Sequence, residues 1–89
     1  MSEAKTTTDH DEIRKWVEAR QGRPSLIRRS GDGGVLRIDF RESEEEFEEI
    51  SWEDFFKIFD ESDLAFLHQD KTADGKTSRF NKFVNRKDD

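Results

Sequence analysis

The sequence predicts an α+β fold: one small domain in which an antiparallel sheet of about four strands carries two amphipathic helices on one face. Two helix-period apolar stripes and one alternating hairpin predict it. The first stripe lies in DHDEIRKWVEARQ, residues 9–21, where Ile13, Trp16, Val17 and the aliphatic stem of Arg20 fall at i, i+3, i+4 and i+7. The second lies in SWEDFFKIFDE, where Trp52, Phe55, Phe56 and Phe59 repeat that spacing and Glu53, Asp54, Lys57, Asp60 and Glu61 fill the other side. The hairpin is SLIRR, residues 25–29, and VLRIDF, residues 35–40, around SGDGG.

Each element has local punctuation. Asp9 can cap the first helix, Asp11 and Glu12 sit at its positive dipole end, and Gly22 followed by Pro24 marks its stop. Ser51 is an N-cap for the second helix, with Asp54 at N3, and Ile50 and Phe55 form a hydrophobic staple across it. In the second hairpin strand Leu36, Ile38 and Phe40 alternate with Arg37 and Asp39, so one face is apolar and the other wet. Residues 42–49, ESEEEFEE, hold six Glu and read as a loop that becomes a short strand near 46–50, anchored by Phe47 and Ile50. LAFLHQ, residues 64–69, reads as a strand with Leu64, Phe66 and His68 on one face. Asp74–Gly75 marks a turn. Residues 77–84 are expected to open as a strand and give way to a helical turn near Asn81, because Phe80, Phe83 and Val84 have helical spacing. Residues 1–8 are polar and aperiodic and read as a disordered tail, and residues 85–89 as a frayed end.

Composition narrows the chemistry. The 89 residues are 30% apolar and 43% charged, so the few large side chains must supply the core; truncating one buried Phe or Trp costs roughly 3–5 kcal/mol. No cysteine is present, which excludes disulfides, thiolate metal sites and a thiol nucleophile. No apolar run approaches a membrane span and the first residues lack an apolar signal core, so a cytoplasmic location without membrane association is expected. The net charge of −6 is segregated: residues 12–41 carry net +4 and residues 42–63 net −10. The total disfavours non-specific nucleic-acid binding, while a local basic face stays available.

The candidate binding residues are Arg28, Arg29, Arg37 and Arg41 on the hairpin, with Arg79 and Lys82 near the end of the chain. The hairpin arginines sharing a solvent face would suit phosphate, nucleic acid or an acidic protein segment, or would neutralise the Glu run of the same molecule. Arg79, Phe80, Asn81, Lys82 and Phe83 interleave bases with aromatics, as single-strand platforms do, or are core Phe beside exposed cations. His10, within DHDE, could orient a base or a metal, but reads more simply as part of a frayed helix start. His68 could be a buried base or pH switch, but reads more simply as a strand residue with one nitrogen wet. SGDGG lacks the GK[ST] of a phosphate loop and reads as a turn. DKTADG lacks the acids of a calcium loop.

Six fragments taken together, TTTDHDEIRKWVEAR, GRP, LRIDF, EEISWEDFF, LAFLHQD and SRFNKFV, carry a resemblance. The chain resembles a family of small stand-alone prokaryotic proteins with no established function, sometimes labelled 1,4-alpha-glucan branching enzyme. Its members share a DHDEIR-x-W helix, an LRIDF strand, an ISW-x-x-FF helix and an LAFL-x-QD … SRFNK ending. The resemblance spans roughly residues 6–86. The chain departs from the pattern at His68, where the family has Tyr, and after Phe40, where an acidic run replaces a Gly-containing loop. Branching chemistry needs a nucleophilic carboxylate and a second carboxyl group at fixed separation, held in a barrel of about 250 residues. The carboxylates here lie in solvated runs. The residues therefore predict no catalytic set, no metal and no cofactor. The expectation is a monomeric module that binds another protein, with nucleic acid as the alternative partner.

Overall fold

The computed structural model describes residues 4–28, 34–41 and 47–86. In chain order the elements are β1 (Lys5–Thr7), α1 (His10–Ala19), β2 (Arg23–Arg28), β3 (Gly34–Asp39), β4 (Glu48–Glu49), α2 (Trp52–Glu61), β5 (Leu64–His68) and β6 (Asn81–Asn85). The α+β class is as the sequence predicts. The strands divide into two three-stranded antiparallel sheets, ordered β1-β5-β6 and β3-β2-β4, where a single sheet of about four was expected.

Both helices start where their caps direct. Asp9 accepts the Glu12 N–H at 3.1 Å and Ser51 accepts the Asp54 N–H at 3.0 Å, each satisfying a donor that the first turn leaves open. Their apolar stripes meet the strands in one cluster: Ile13, Trp16 and Val17 from α1, Phe55 and Phe59 from α2, and Leu26, Leu36, Ile38 and Phe66 from the strands. Trp52 and Phe56 are half-buried at its margin and stack on one another, with ring centroids 5.3 Å apart.

Three expectations are corrected. Residues 5–7 are not a tail: Lys5, Thr6 and Thr7 pair with His68, Leu67 and Phe66. KTT has no alternation of its own to announce a strand; β5 supplies the order. The helical turn near Asn81 is absent, and residues 81–85 run extended against β5 with Phe83 opposite Phe66. Fraying does not begin at Asn85, which closes β6. Next to it, Arg86 donates its N–H to the Asp63 carbonyl at 2.7 Å and its Nε to that of Leu64 at 2.9 Å. The connection before β6 is a tight turn in which Gly75 takes φ +84° and the Thr72 hydroxyl donates to Asp74.

Helix α1 ends in a way the sequence disguises. Gln21 N–H donates to the Glu18 carbonyl and Gly22 N–H to that of Val17, both at 3.0 Å, which is a Schellman closure. The left-handed residue is Gln21, at φ +62°, and not the glycine beside it. Gly22 is required for space. A Cβ there would lie 2.8 Å from Ile38 Cγ2 and 2.9 Å from both Phe40 Cε1 and Val17 Cγ1. Pro24 then sits inside β2 at no loss of pairing, because its nitrogen faces the end of the two-residue β4, whose neighbour Ile50 donates to the Pro24 carbonyl at 3.0 Å.

Candidate functional site

The basic residues gather where α1, β2, β3 and the segment before β6 meet. Arg20 organises this corner. Its side chain is 9% exposed, and its guanidinium donates to three carbonyls: Trp16 at 2.9 Å, Asp70 at 2.9 Å and Ser78 at 2.5 Å. It also lies over the Trp16 ring, 4.1 Å from the centroid. Trp16 in turn donates its Nε1 to the Gln69 carbonyl at 3.2 Å. Burial lowers the Arg20 pKa from its ordinary value and nearby Asp70 opposes that shift; the hydrogen bonds make this cation a clamp between the end of α1 and the β5–β6 connection.

Around the clamp lies an open cleft of about 400 Å³ lined by Glu18, Arg20, Gln21, Arg23, Phe40, Arg41 and Arg79. Arg23 enters from the start of β2. Arg41 follows β3 in a left-handed turn at φ +64°, which Asp39 holds by accepting the Arg41 N–H at 2.6 Å. Arg79 arrives from the opposite sheet and lies over Phe40, 5.5 Å from the ring centroid. Glu18 is the one acid on the wall among the described residues, and it pairs with Arg14 at 3.3 Å. A second cavity, about 350 Å³, lies between β3 and β6 and is lined by Arg37, Asn81, Lys82 and Phe83.

The predicted site residues therefore divide. Arg41 and Arg79 line the cleft together, and Arg37 and Lys82 share the second cavity. Arg28 closes the far end of β2, opposite Gly34, about 17 Å of strand from Arg23. Arg29, residues 30–33 of the SGDGG turn and residues 42–46 of the acidic run lie outside the described residues. Arg20 and Arg23 were not singled out. Arg20 is hidden in an apolar stripe and Arg23 in a helix-stop signal, though the spacing of Arg20 and Arg23 about Gly22 marks both as belonging to one bend.

The two histidines have distinct settings. His10 is no frayed residue: its ring stacks on Phe56 at 4.0 Å and its Nε2 lies 3.0–3.1 Å from the carboxylate oxygens of Asp60. That hydrogen bond is the main reason the Asp60 pKa is lowered, with Arg86 adding to it. His68 is 5% exposed, stacked beside Phe66 and Trp16, and neither ring nitrogen has a hydrogen-bond partner among the described residues, where one wet nitrogen was expected. Desolvation lowers its pKa from 6.5, against the attraction of Glu12, 3.9 Å away, and of Asp70; Arg20 and Lys5 reinforce the shift. The unfolded chain therefore binds a proton here that the folded chain resists. Stability is expected to fall as pH drops below about 6.5 towards the folded-state pKa, and to be insensitive to this group above about pH 7.5. Urea unfolding at pH 5.5 and 7.5 measures the loss. His68→Phe is expected to reduce it; an unchanged pH difference would assign the loss to other groups.

No group of three or more His, Asp or Glu among the described residues is arranged to hold a metal ion. No helix among them is long and apolar enough to cross a membrane. Compared with protein-family models, curated proteins and solved structures, the chain matches none.

Proposed function

We propose that this protein is a non-catalytic module that binds an acidic segment of a partner protein in the arginine-lined cleft, acting as a monomer in the cytoplasm. The observation that carries the reading is the convergence of Arg23, Arg41 and Arg79, from three separate segments, on one cleft whose wall, among the described residues, holds a single acid. Guanidinium groups grip carboxylates with two parallel hydrogen bonds. The clamp at Arg20 and the Arg79–Phe40 stack pre-position the site, which reduces the ordering cost on binding. The acidic face of α2, with Glu53, Asp54, Asp60 and Glu61, would orient an approaching acidic chain towards the basic corner. The family resemblance stays part of this reading. The branching label does not: among the described residues the cleft wall carries one carboxylate, Glu18, where a glycosidic bond must be flanked by two.

A labelled hexaglutamate peptide is expected to bind, more weakly as salt rises. Arg41→Glu with Arg79→Glu is expected to reduce affinity at least about tenfold while circular dichroism stays unchanged. Failure of the peptide to bind at low salt, or indifference to the double substitution, would remove the reading. Phe80 supports a second one: it is 47% exposed beside Arg79, as a stacking platform for single-stranded nucleic acid would be. A short oligothymidylate that binds more tightly than the peptide, and loses affinity on Phe80→Ala, would favour nucleic acid.

A further inference from the structure

We infer that the groove between β3 and β6 accepts an acidic segment of a partner protein as an inserted β-strand, hydrogen-bonded to both edges; this rests on the proposed binding of an acidic segment. Neither edge carries a strand partner among the described residues, since β3 ends one sheet and β6 ends the other. The ladder phases show which peptide groups each edge presents. The Ile50 N–H bonds to the Pro24 carbonyl, so Pro24 and Leu26 turn towards β4, while Arg23, Ser25 and Ile27 turn towards β3. Their β3 partners Asp39, Arg37 and Val35 then bond inward, leaving Leu36 and Ile38 facing the groove. The Leu36 carbonyl accepts from the Arg37 guanidinium at 3.0 Å, so an incoming strand takes that acceptor over and frees Arg37 for its side chains.

On the other side, Gln69 N–H to Phe80 carbonyl at 3.3 Å and Arg86 N–H to Asp63 carbonyl at 2.7 Å set the β5–β6 phase. Lys82 and Val84 bond inward to β5, and Asn81 and Phe83 face outward. The cavity between the edges is lined by Arg37, Asn81, Lys82 and Phe83, so the two β6 residues whose peptide groups face outward border the same space as two cations, and Arg37 brings the β3 edge to it. A strand seated there would lie about 4.8 Å from each edge and alternate its N–H groups between them. Arg37 and Lys82 select acidic side chains on the solvent side. Main-chain bonds would supply affinity and the flanking cations specificity.

The probe is the peptide acetyl-Glu-Val-Glu-Val-Glu-Val-Glu-amide, titrated into isotopically labelled protein. Amide exchange at Leu36, Ile38, Asn81 and Phe83 is expected to slow at least about tenfold, while Val35, Arg37, Lys82 and Val84, already paired, change little. N-methylation of the central valine, and separately of an adjacent glutamate, is expected to cost at least about tenfold each in affinity, because neighbouring N–H groups bond opposite edges. Binding without protection of the four edge amides would overturn the inserted strand and leave the acidic-segment reading standing. Loss from only one of the two N-methylations would overturn insertion between two edges. No binding at low salt would overturn the inserted strand, while hexaglutamate at the cleft decides the acidic-segment reading separately.

Discussion

Arg20→Met is expected to lower the free energy of unfolding by about 3–5 kcal/mol, read from urea curves followed by tryptophan fluorescence. A hydrogen bond to a charged donor is worth about 1.5–3 kcal/mol and Arg20 makes three, to the Trp16, Asp70 and Ser78 carbonyls. Its contact with the Trp16 ring adds up to about 2 kcal/mol. The sum is reduced by the cost of burying the guanidinium, the same desolvation that lowers its pKa. Methionine keeps much of the apolar stem and loses the fork. Arg20→Lys is expected to recover little, since one ammonium on a flexible stem cannot span three carbonyls in a plane. A lysine variant within about 0.5 kcal/mol of the parent would show that the clamp contributes no more than an ordinary surface charge.

Gly22→Ala is expected to cost about 2–3 kcal/mol, lowering the melting temperature by roughly 10 °C or more in a domain of this size. The added methyl would stand within 2.9 Å of Ile38, Phe40 and Val17 at once, and two of those side chains belong to the buried cluster. Gln21→Gly is expected to move stability the other way by about 0.5–1 kcal/mol, because Gln21 holds the left-handed turn that glycine adopts freely. The two substitutions exchange the roles usually given to a residue and its neighbouring glycine. A stabilising Gly22→Ala would mean that the α1 terminus and β3 shift apart without loss.

What could be read from the residues divides along the same line as local and non-local physics. The helices, their caps and the β2–β3 hairpin were legible because each is specified within a few residues: Asp9 and Ser51 cap, and Trp52 to Phe59 hold one face. β1 was illegible because KTT becomes a strand only where β5 is laid beside it. The division into two sheets was illegible for a related reason, since the hydrophobic pattern shows which face is buried and not which edge finds a partner. At the site, charge alone pointed to Arg37, Arg41, Arg79 and Lys82. Their assembly into two cavities depends on β6 and the segment before it coming to lie near β3, which no local signal encodes. Gly22 misled because glycine after a helix has two uses, and only the neighbours Ile38 and Phe40 decide between them.

The strands nearest the two ends of the described residues, β1 and β6, border the same central strand β5, with Lys5 opposite His68 and Leu64 opposite Asn85. During synthesis, α1 and the β2–β3 hairpin leave the ribosome with the partners of their own backbone ladders in hand. The indole N–H of Trp16 has none until Gln69 follows, and β1 waits as long for β5. Closure over so wide a span of sequence carries a large entropic delay. The nascent chain therefore passes through a half-built stage, with one sheet assembled and the Trp16 side of the core still open to water, and it seals late and all together once β5 is free to pair.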